Sequence, residues 1–382
     1  MKGNVLVIGN SGVGKSTLIN AVLGEDRAVT GYGTEGTTKE LAIYENRELP
    51  FRVIDSVGFE PSFWKEQRAI RAIKRWSEGS AKEPSQEDRR INAIWFCIDG
   101  TSRKLFPQTI KNLSRATSMW ESVPVIAVIT KSYSVPERKE NIEMVNNAFA
   151  KQKRYSSNLR GVIPVVAALY PLNDCAYAPP EGITELIDTT ANLLPEGIKA
   201  SELDINRFKL NRKRTFAHSV VGAATLSALT IGAVPIPFPD TAILAPVELG
   251  EIKTVAKIYG INQDEKSKQF IQSIVEVGAI SLVAKNIINV LKSIPGINIG
   301  AALLNAIVAG SIVAAIGEGS IYAFEQIYLG NKTIEDIDWV KKLIESKLSS
   351  QFIENTVSTI KNLVNTSDKE TILKTILNTY NK

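Results

Sequence analysis

The sequence predicts an α/β domain with a mostly parallel sheet flanked by helices, followed by an all-α apolar helical domain. In the first half, short β-branched runs alternate with helix-like stretches, which is the pattern of βαβ units. In the second half charges become rare: Thr215–Pro239 carries none at pH 7, and apolar residues after Gly330 recur at helical spacing. We therefore expect three parts, residues 1–197, 198–330 and 331–382.

The elements of the first part follow from local composition. Strands are expected at Val5–Ile8, Phe51–Ile54, Ala93–Ile98, Val123–Ile129 and Gly161–Val166. Helices are expected at Ser16–Leu23, Phe63–Trp76, Pro107–Trp120, Pro136–Lys151 and Ile183–Leu193. The segment Ser77–Arg90 is polar and contains proline, so it is expected to form a loop.

The composition excludes several classes of site. The 382 residues include two cysteines and one histidine, His218, too few for a Cys/His zinc site or a disulfide scaffold. No secretory signal is expected, and a cytoplasmic location is the default for such a chain. The net charge of +5, from 45 Lys+Arg and 40 Asp+Glu, is small, so a nucleic-acid partner is not expected.

A phosphate-binding loop follows the first predicted strand and precedes the first predicted helix. The pattern Gly-x4-Gly-Lys-Ser/Thr is matched in full by Gly9, Asn10, Ser11, Gly12, Val13, Gly14, Lys15, Ser16 and Thr17. Glycines let backbone N–H groups converge on phosphates, Lys15 reaches the β- and γ-phosphate oxygens, and the Ser16 hydroxyl is a ligand for Mg²⁺. The helix that follows adds the positive end of its dipole.

Two later segments complete a nucleotide site. Asp55 ends an apolar strand, where a carboxylate can support Mg²⁺, and Gly58 stands at Asp-x-x-Gly spacing, where its N–H can reach the γ-phosphate. The Gly-rich run from Gly33 to Glu40 contains Thr37 and Thr38, whose hydroxyls can complete the metal coordination. Such a run suits a loop that orders around the γ-phosphate.

This set of motifs resembles the Era/TrmE-like branch of the translation-factor-related GTPases over residues 1–195. The resemblance implies a P-loop NTPase fold, binding of GTP with Mg²⁺, and hydrolysis of GTP. It assigns Thr38 as the switch ligand of Mg²⁺ beside Ser16 and Asp55, with Thr37 as its neighbour. Lys15, Thr38 and Gly58 are then the residues expected to act on the γ-phosphate.

The segment that reads the base departs from the family pattern. The strand ending at Ile129 leads into Thr130, Lys131 and Ser132, but Tyr133 stands where the family has the aspartate that recognises guanine. Lys131 can still pack along a base, and Ala167 and Ala168 match the last base-contacting segment. Loss of the acceptor weakens discrimination, so GTP is favoured over ATP by the resemblance and base identity stays open.

The catalytic segment departs as well. Phe59 follows Gly58, where Ras-like enzymes place the glutamine that orients water. A phenyl ring cannot orient water, so we expect slow intrinsic hydrolysis or a catalytic group supplied from elsewhere.

The apolar half leaves two interpretations open. A basic run, residues 206–214, precedes the uncharged stretch, which favours a cytoplasmic membrane interface at the inner membrane. Small residues every four positions, at Ala302, Ala306, Gly310 and Ala314, favour close helix packing in a bilayer or in a soluble bundle. Segments around Pro235–Thr241, Pro246–Glu248 and Ile258–Gly260 are similar to the YcjF-type domain of unknown function, whose members are bacterial and in several cases membrane-associated.

Three functional hypotheses follow. The first is a GTP-dependent switch whose loops act on the helical domain, a second copy of the chain or another protein partner. The second is a membrane-associated scaffold with a structural nucleotide site. The third is an ATP-using P-loop NTPase.

Overall fold

The computed structural model describes residues 2–24, 41–56, 90–102, 123–151, 156–173, 176–195, 202–233, 241–261, 264–277, 287, 300–363 and 368–380. The chain forms two compact units: residues 1–168 with 180–212, and residues 169–179 with 213–382. The helices predicted at 63–76 and 107–120, and the loop predicted at 77–90 except for Arg90, lie outside the described residues. The three-part division at 197 and 330 stays a prediction.

The first unit contains a six-stranded sheet in the order β2-β3-β1-β4-β5-β6. Its strands are β1 Gly3–Ile8, β2 Leu41–Glu45, β3 Phe51–Ser56, β4 Ala93–Asp99, β5 Val125–Thr130 and β6 Leu159–Pro164. All neighbouring pairs are parallel except β2 with β3. The predicted parallel sheet is confirmed, whereas β2, an antiparallel edge strand, has no counterpart among the predicted strands.

Helices cover the sheet of the first unit. They are α1 Lys15–Leu23, α2 Val135–Ala150 and α3 Ile183–Leu193. Val145 and Phe149 of α2 belong to the buried cluster formed by the inner faces of the central strands. The indole Nε1 of Trp95 donates to Thr190 Oγ1 of α3 at 2.9 Å. These contacts hold the carboxyl ends of the strands, where the predicted motifs lie, in fixed positions.

The second unit is helical, with one small hairpin formed by β7 Tyr170–Asn173 and β8 Ala176–Ala178. Its helices are α4 Glu202–Gly232, α5 Thr241–Ile258, α6 Glu265–Val277, α7 Ala301–Tyr328, α8 Ile337–Lys347, α9 Ser350–Leu363 and α10 Lys369–Tyr380. Helix α7 packs against α5, α8, α9 and α10 and is the central helix of the unit. Helix α4 begins in the first unit and continues into the second after Arg212.

Two helices, Ile205–Gly232 and Ala301–Tyr328, are long and apolar enough to cross a membrane by length and composition. The most apolar window of α7 is 72% buried and that of α4 is 50% buried. The predicted stripe of small residues explains part of this burial, because a Cβ on Gly232 would lie 2.9 Å from Ala306 Cα. Close backbone approach of this kind brings α4 and α7 together inside the second unit.

The cations of the basic run, residues 206–214, form hydrogen bonds and ion pairs with other parts of the protein. Four of its five cations have partners, each within one compact unit. Lys209 Nζ pairs with Asp188, Arg212 Nε donates to Ala21 O, Lys213 Nζ donates to Ile258 O, and Arg214 makes a bidentate pair with Glu325. The run therefore fixes helices rather than leaving all its charges on an open surface.

Candidate nucleotide-binding site

The phosphate-binding loop connects β1 to α1 and has the geometry that its sequence predicts. Gly12 and Gly14 have positive φ angles of 78° and 96°, which a residue with a Cβ rarely adopts. Gly9 also needs to be glycine, because a Cβ there would lie 2.7 Å from Cys97 O of β4. Lys15 Nζ donates to Gly9 O at 2.8 Å and Asn10 O at 3.1 Å. These bonds hold the ammonium group over the loop that would cradle phosphates.

The residues of the predicted phosphate-binding pattern differ in their exposure to solvent. Ser11, Gly12, Ser16 and Thr17 are exposed, Asn10, Gly14 and Lys15 are half-buried, and Gly9 and Val13 are buried. Ser16 lies in the first turn of α1, where the free N–H groups and the helix dipole favour an anion. The exposed hydroxyl beside this anion site is therefore available to a metal that accompanies phosphate.

Asp55 lies beside the loop, and its surroundings fit a divalent cation. In the parallel register of β1 and β3, Val7 is the partner of Asp55, so the carboxylate stands near the start of the loop. Asp55 is 8% exposed, and its Oδ1 has no hydrogen-bond partner among the described residues. Burial raises the pKa of Asp55, and the charge of Lys15 partly opposes this shift. A buried carboxylate oxygen without a partner is the type of ligand that Mg²⁺ prefers.

Thr130 and Lys131 connect the predicted base-reading segment to the phosphate loop. The buried Thr130 Oγ1 lies within hydrogen-bonding distance of Val13 O and Ile98 O. Lys131 has a positive φ of 53°, and its Nζ donates to Gly12 O at 2.8 Å. The left-handed backbone turns the lysine back over the loop. Two matching residues of the motif thus hold the base-reading segment against the segment that binds phosphate.

Asp99 is a member of this constellation that the sequence analysis missed. Its Oδ2 accepts a hydrogen bond from Lys131 Nζ at 2.8 Å, and its Oδ1 accepts from Thr101 N and Oγ1. Burial raises the pKa of Asp99, but the bonds from Lys131 and Thr101 outweigh burial and leave the pKa below its ordinary value. Its position at the carboxyl end of β4, opposite Thr130 in the register, is the signal that could have identified it.

The remaining base-reading candidates occupy varied positions. Ser132 is 4% exposed, and its hydroxyl donates to Ile129 O, so it serves the local turn. Tyr133 is half-buried directly after it. Ala167 is half-buried and Ala168 is exposed, both following Val166, which bridges to Glu181. Thr37, Thr38 and Gly58, together with Phe59, lie outside the described residues.

Two family models match the chain, one in its first half and one in its second half. Residues 4–131 match the model of the 50S ribosome-binding GTPase family, and residues 201–349 match a domain of unknown function, DUF697. The first match contains the phosphate-binding loop, Asp55, Asp99, Thr130 and Lys131. The second contains α4 to α8.

Individual relatives match only part of the chain. GTPase Der of Rippkaea orientalis is 30% identical over 153 residues, which are 36% of this chain and 30% of that protein. Cell division control protein 10 of Saccharomyces cerevisiae is 28% identical over 172 residues, 39% of this chain and 52% of that protein. The chain therefore spans about half, or less, of the length of these curated relatives.

Among solved structures, Era in complex with MgGDPNP and a segment of 16S ribosomal RNA matches with a TM-score of 0.35 and 21% identity. The match covers 60% of this chain and 68% of that one. Together with the loop geometry, the family matches confirm the expected fusion: a segment similar to P-loop GTPases is followed by a segment similar to DUF697.

Proposed function

We propose that this protein is a Mg²⁺-dependent GTP-binding switch with slow intrinsic hydrolysis, whose nucleotide state acts on its helical unit. The observation that carries the proposal is the arrangement of Lys15 and Asp55 around the loop. A half-buried ammonium group lies in the first turn of an anion-binding helix N-terminus, and a buried carboxylate with an unpartnered oxygen interacts with its charge. That arrangement suits a nucleotide phosphate with its metal.

The residues of the loop have distinct roles in this proposal. Backbone N–H groups of residues 9–17 bind the phosphates, and Lys15 neutralises charge on the β- and γ-phosphates. Ser16 and Asp55, with Thr38, would hold Mg²⁺, which when bound neutralises charge that develops on the phosphate oxygens. Gly58 contributes a backbone N–H to the γ-phosphate. Phe59 supplies no group that orients water, which supports a slow intrinsic rate.

A competition experiment tests the site and its base preference. Fluorescent GTP bound to the full chain is displaced with unlabelled GTP or ATP, in Mg²⁺ and in EDTA. We expect GTP to compete better than ATP, and Lys15→Ala to abolish binding, since its ammonium is the main cation at the phosphates. Lys139→Ala, at an exposed lysine of α2, is the matched control. Equal competition by ATP would favour the ATP-using alternative, and tight binding by Lys15→Ala would reject the site.

The coupling to the helical unit is proposed to run through α4. The helix starts in the first unit, where the buried Arg212 donates from Nε to Ala21 O, in the last turn of α1, at 3.0 Å. Helix α1 begins at Lys15, and α4 continues into the second unit as one unbroken helix. A displacement of α1 on nucleotide binding would therefore act on α4 through the Arg212 contact.

Hydrogen exchange tests this coupling. GTP with Mg²⁺ should slow exchange in α4 beyond Arg212 as well as in the loop of residues 9–17. In Arg212→Met, which keeps an aliphatic side chain but removes the donor, protection of the loop should persist while protection of α4 beyond the substitution declines. Equal protection of α4 in both proteins would reject this route of coupling.

The scaffold remains the alternative, and Phe59 and Tyr133 favour it because neither supplies the group that orients water or the acceptor that reads guanine. Flotation of the full chain with liposomes, with and without a non-hydrolysable GTP analogue, separates the two. Nucleotide-dependent membrane binding supports the switch, whereas binding that ignores the nucleotide supports the scaffold.

A further inference from the structure

The second unit contains a cavity of about 240 Å³ that the nucleotide site does not use. It lies where α7, the turn between α8 and α9, and the end of α10 meet. Its lining includes one acidic and one basic side chain, Glu318 and Lys347, two aromatic rings, Phe352 and Tyr380, and five uncharged polar side chains, Asn355 and Thr379 among them. Small-molecule sites combine apolar surface with polar groups at fixed places, and here the two rings supply the apolar surface.

Opposite charges line the cavity without neutralising each other. The Glu318 side chain is 11% exposed, and its Oε1 accepts a hydrogen bond from His218 Nδ1 at 2.9 Å. Lys347 belongs to the same lining, but within the described part of this unit no ion pair joins it to Glu318. Two opposite charges kept apart in a partly enclosed space favour a ligand that carries both complementary charges.

A second acidic side chain, Glu251, lies behind Glu318 and does not line the cavity. Glu251 of α5 is 0% exposed, and both its carboxylate oxygens lack a hydrogen-bond partner among the described residues. Its Oε1 occupies the space beside Gly317, where a Cβ would lie only 2.2 Å away. Burial, and then the charges of Glu248 and Glu318, raise the pKa of Glu251. Glu318 is therefore the carboxylate that lines the cavity and can receive an ammonium group.

Phe352 and Tyr380 form the aromatic wall of the cavity. The rings of Phe352 and Tyr380 lie 5.2 Å apart between centroids, and Phe352 is largely buried. Aromatic faces of this kind pack well against methylene groups and attract a nearby cation. The volume is below that of sites for drug-sized ligands, roughly 300–1,000 Å³, and suits a molecule of amino-acid size.

We propose that this cavity binds a small zwitterion, with its ammonium group at Glu318, its carboxylate at Lys347 and a short aliphatic chain along the aromatic wall. The site is independent of the nucleotide loop, and its test does not depend on GTP binding.

Isothermal titration calorimetry of the full chain with a matched set of probes tests the proposal. The zwitterions are 4-aminobutanoate, 6-aminohexanoate and 8-aminooctanoate, and the singly charged analogues are hexylamine and hexanoate. The variants are Glu318→Gln and Lys347→Met. The controls are Glu335→Gln and Lys266→Met, which remove the members of an exposed ion pair elsewhere in the same unit.

At least one zwitterion should bind more tightly than both singly charged analogues. Its affinity should fall about tenfold or more in each cavity variant and stay unchanged in both controls. Hexylamine should respond to Glu318→Gln but not to Lys347→Met. The proposal is overturned if none of the zwitterions binds at about millimolar concentration. It is also overturned if hexylamine binds as tightly as the best zwitterion, or if Lys347→Met leaves zwitterion binding intact. Lys347 makes no described ion pair, so its variant keeps the test decisive even where Glu318→Gln alters folding.

Discussion

Replacing the buried Glu248 with glutamine should stabilise the protein at high pH and leave its stability nearly unchanged at low pH. Glu248 lies in α5, is 1% exposed, and its Oε1 has no hydrogen-bond partner among the described residues. Burial raises the pKa of this carboxyl from 4.5 to about 8. The folded protein therefore keeps a proton that the unfolded chain releases.

The size of the effect follows from proton linkage. Below the pKa that Glu248 has in the unfolded chain, the carboxyl is protonated in both the folded and the unfolded state. In that range the natural protein and the glutamine variant should have similar unfolding free energies. As pH rises above that value, the unfolded state gains stability by about 1.4 kcal/mol per pH unit until the folded group also ionises. A window of about 3.5 pH units makes the loss about 5 kcal/mol, and it is complete when the pH passes the folded pKa. Glu248→Gln removes this loss.

Denaturant unfolding, followed by circular dichroism at 222 nm at about pH 5 and about pH 8, measures the difference between the variant and the natural protein. The difference in unfolding free energy should be small at the lower pH and approach about 5 kcal/mol at the higher pH. Glu345→Gln, at an exposed position of α8, is the matched control and should show no such trend. A Glu248→Gln advantage that is equal at both values would refute the reasoning, because it would mean that the carboxyl titrates alike in both states.

Three further predictions concern the two units. Asp55→Asn should abolish the gain in GTP affinity that Mg²⁺ provides while changing Mg²⁺-free affinity little, as measured by titration of fluorescent GTP with and without EDTA. Thr130→Ala removes a buried hydroxyl between two backbone carbonyls and should lower the unfolding free energy by about 1–3 kcal/mol. Thr130→Ser keeps the hydroxyl and should keep most of the stability. Gly317→Ala should cost about 2 kcal/mol in thermal or denaturant unfolding, because its Cβ would lie 2.2 Å from Glu251 Oε1. Gly300→Ala, with nothing within 4 Å of its Cβ position, should be nearly neutral.

The phosphate end of the site could be predicted from sequence because it is built from local chain. Backbone N–H groups and the first turn of one helix would make most of the contacts to phosphate. A nine-residue pattern therefore specifies both the phosphate-binding groups and the geometry of the loop. Thr130 and Lys131 could be named as candidates for the same reason, since one ends a strand and the other follows it. Asp99 was missed because its role depends on β4 lying beside β5, which a short motif does not encode.

The buried acidic side chains of the helical unit could not be predicted from the local sequence. Glu248 and Glu251 stand three residues apart on α5, a spacing equally suited to an exposed acidic face. What buries them is the packing of α5 against α7, and Gly317 on α7 leaves the space that one of the two carboxyls fills. Strand β2 was missed on similar grounds, because a short edge strand depends on its antiparallel partner.

The basic run of residues 206–214, in the first half of α4, was interpreted from the same kind of local count, and its contacts weaken that interpretation. A cluster of cations before an apolar stretch meets the criterion for a cytoplasmic membrane interface. In the folded protein, however, Arg212 serves the carboxyl end of α1, and Arg214 is held by both carboxylate oxygens of Glu325 on α7. Insertion of α4 into a bilayer without α7 would break the Arg214 pair and separate Gly232 from Ala306. Four of the five cations in this run therefore connect helices within the fold, and the membrane hypothesis depends on the apolar length of α4 and α7 and on the similarity to the YcjF-type domain.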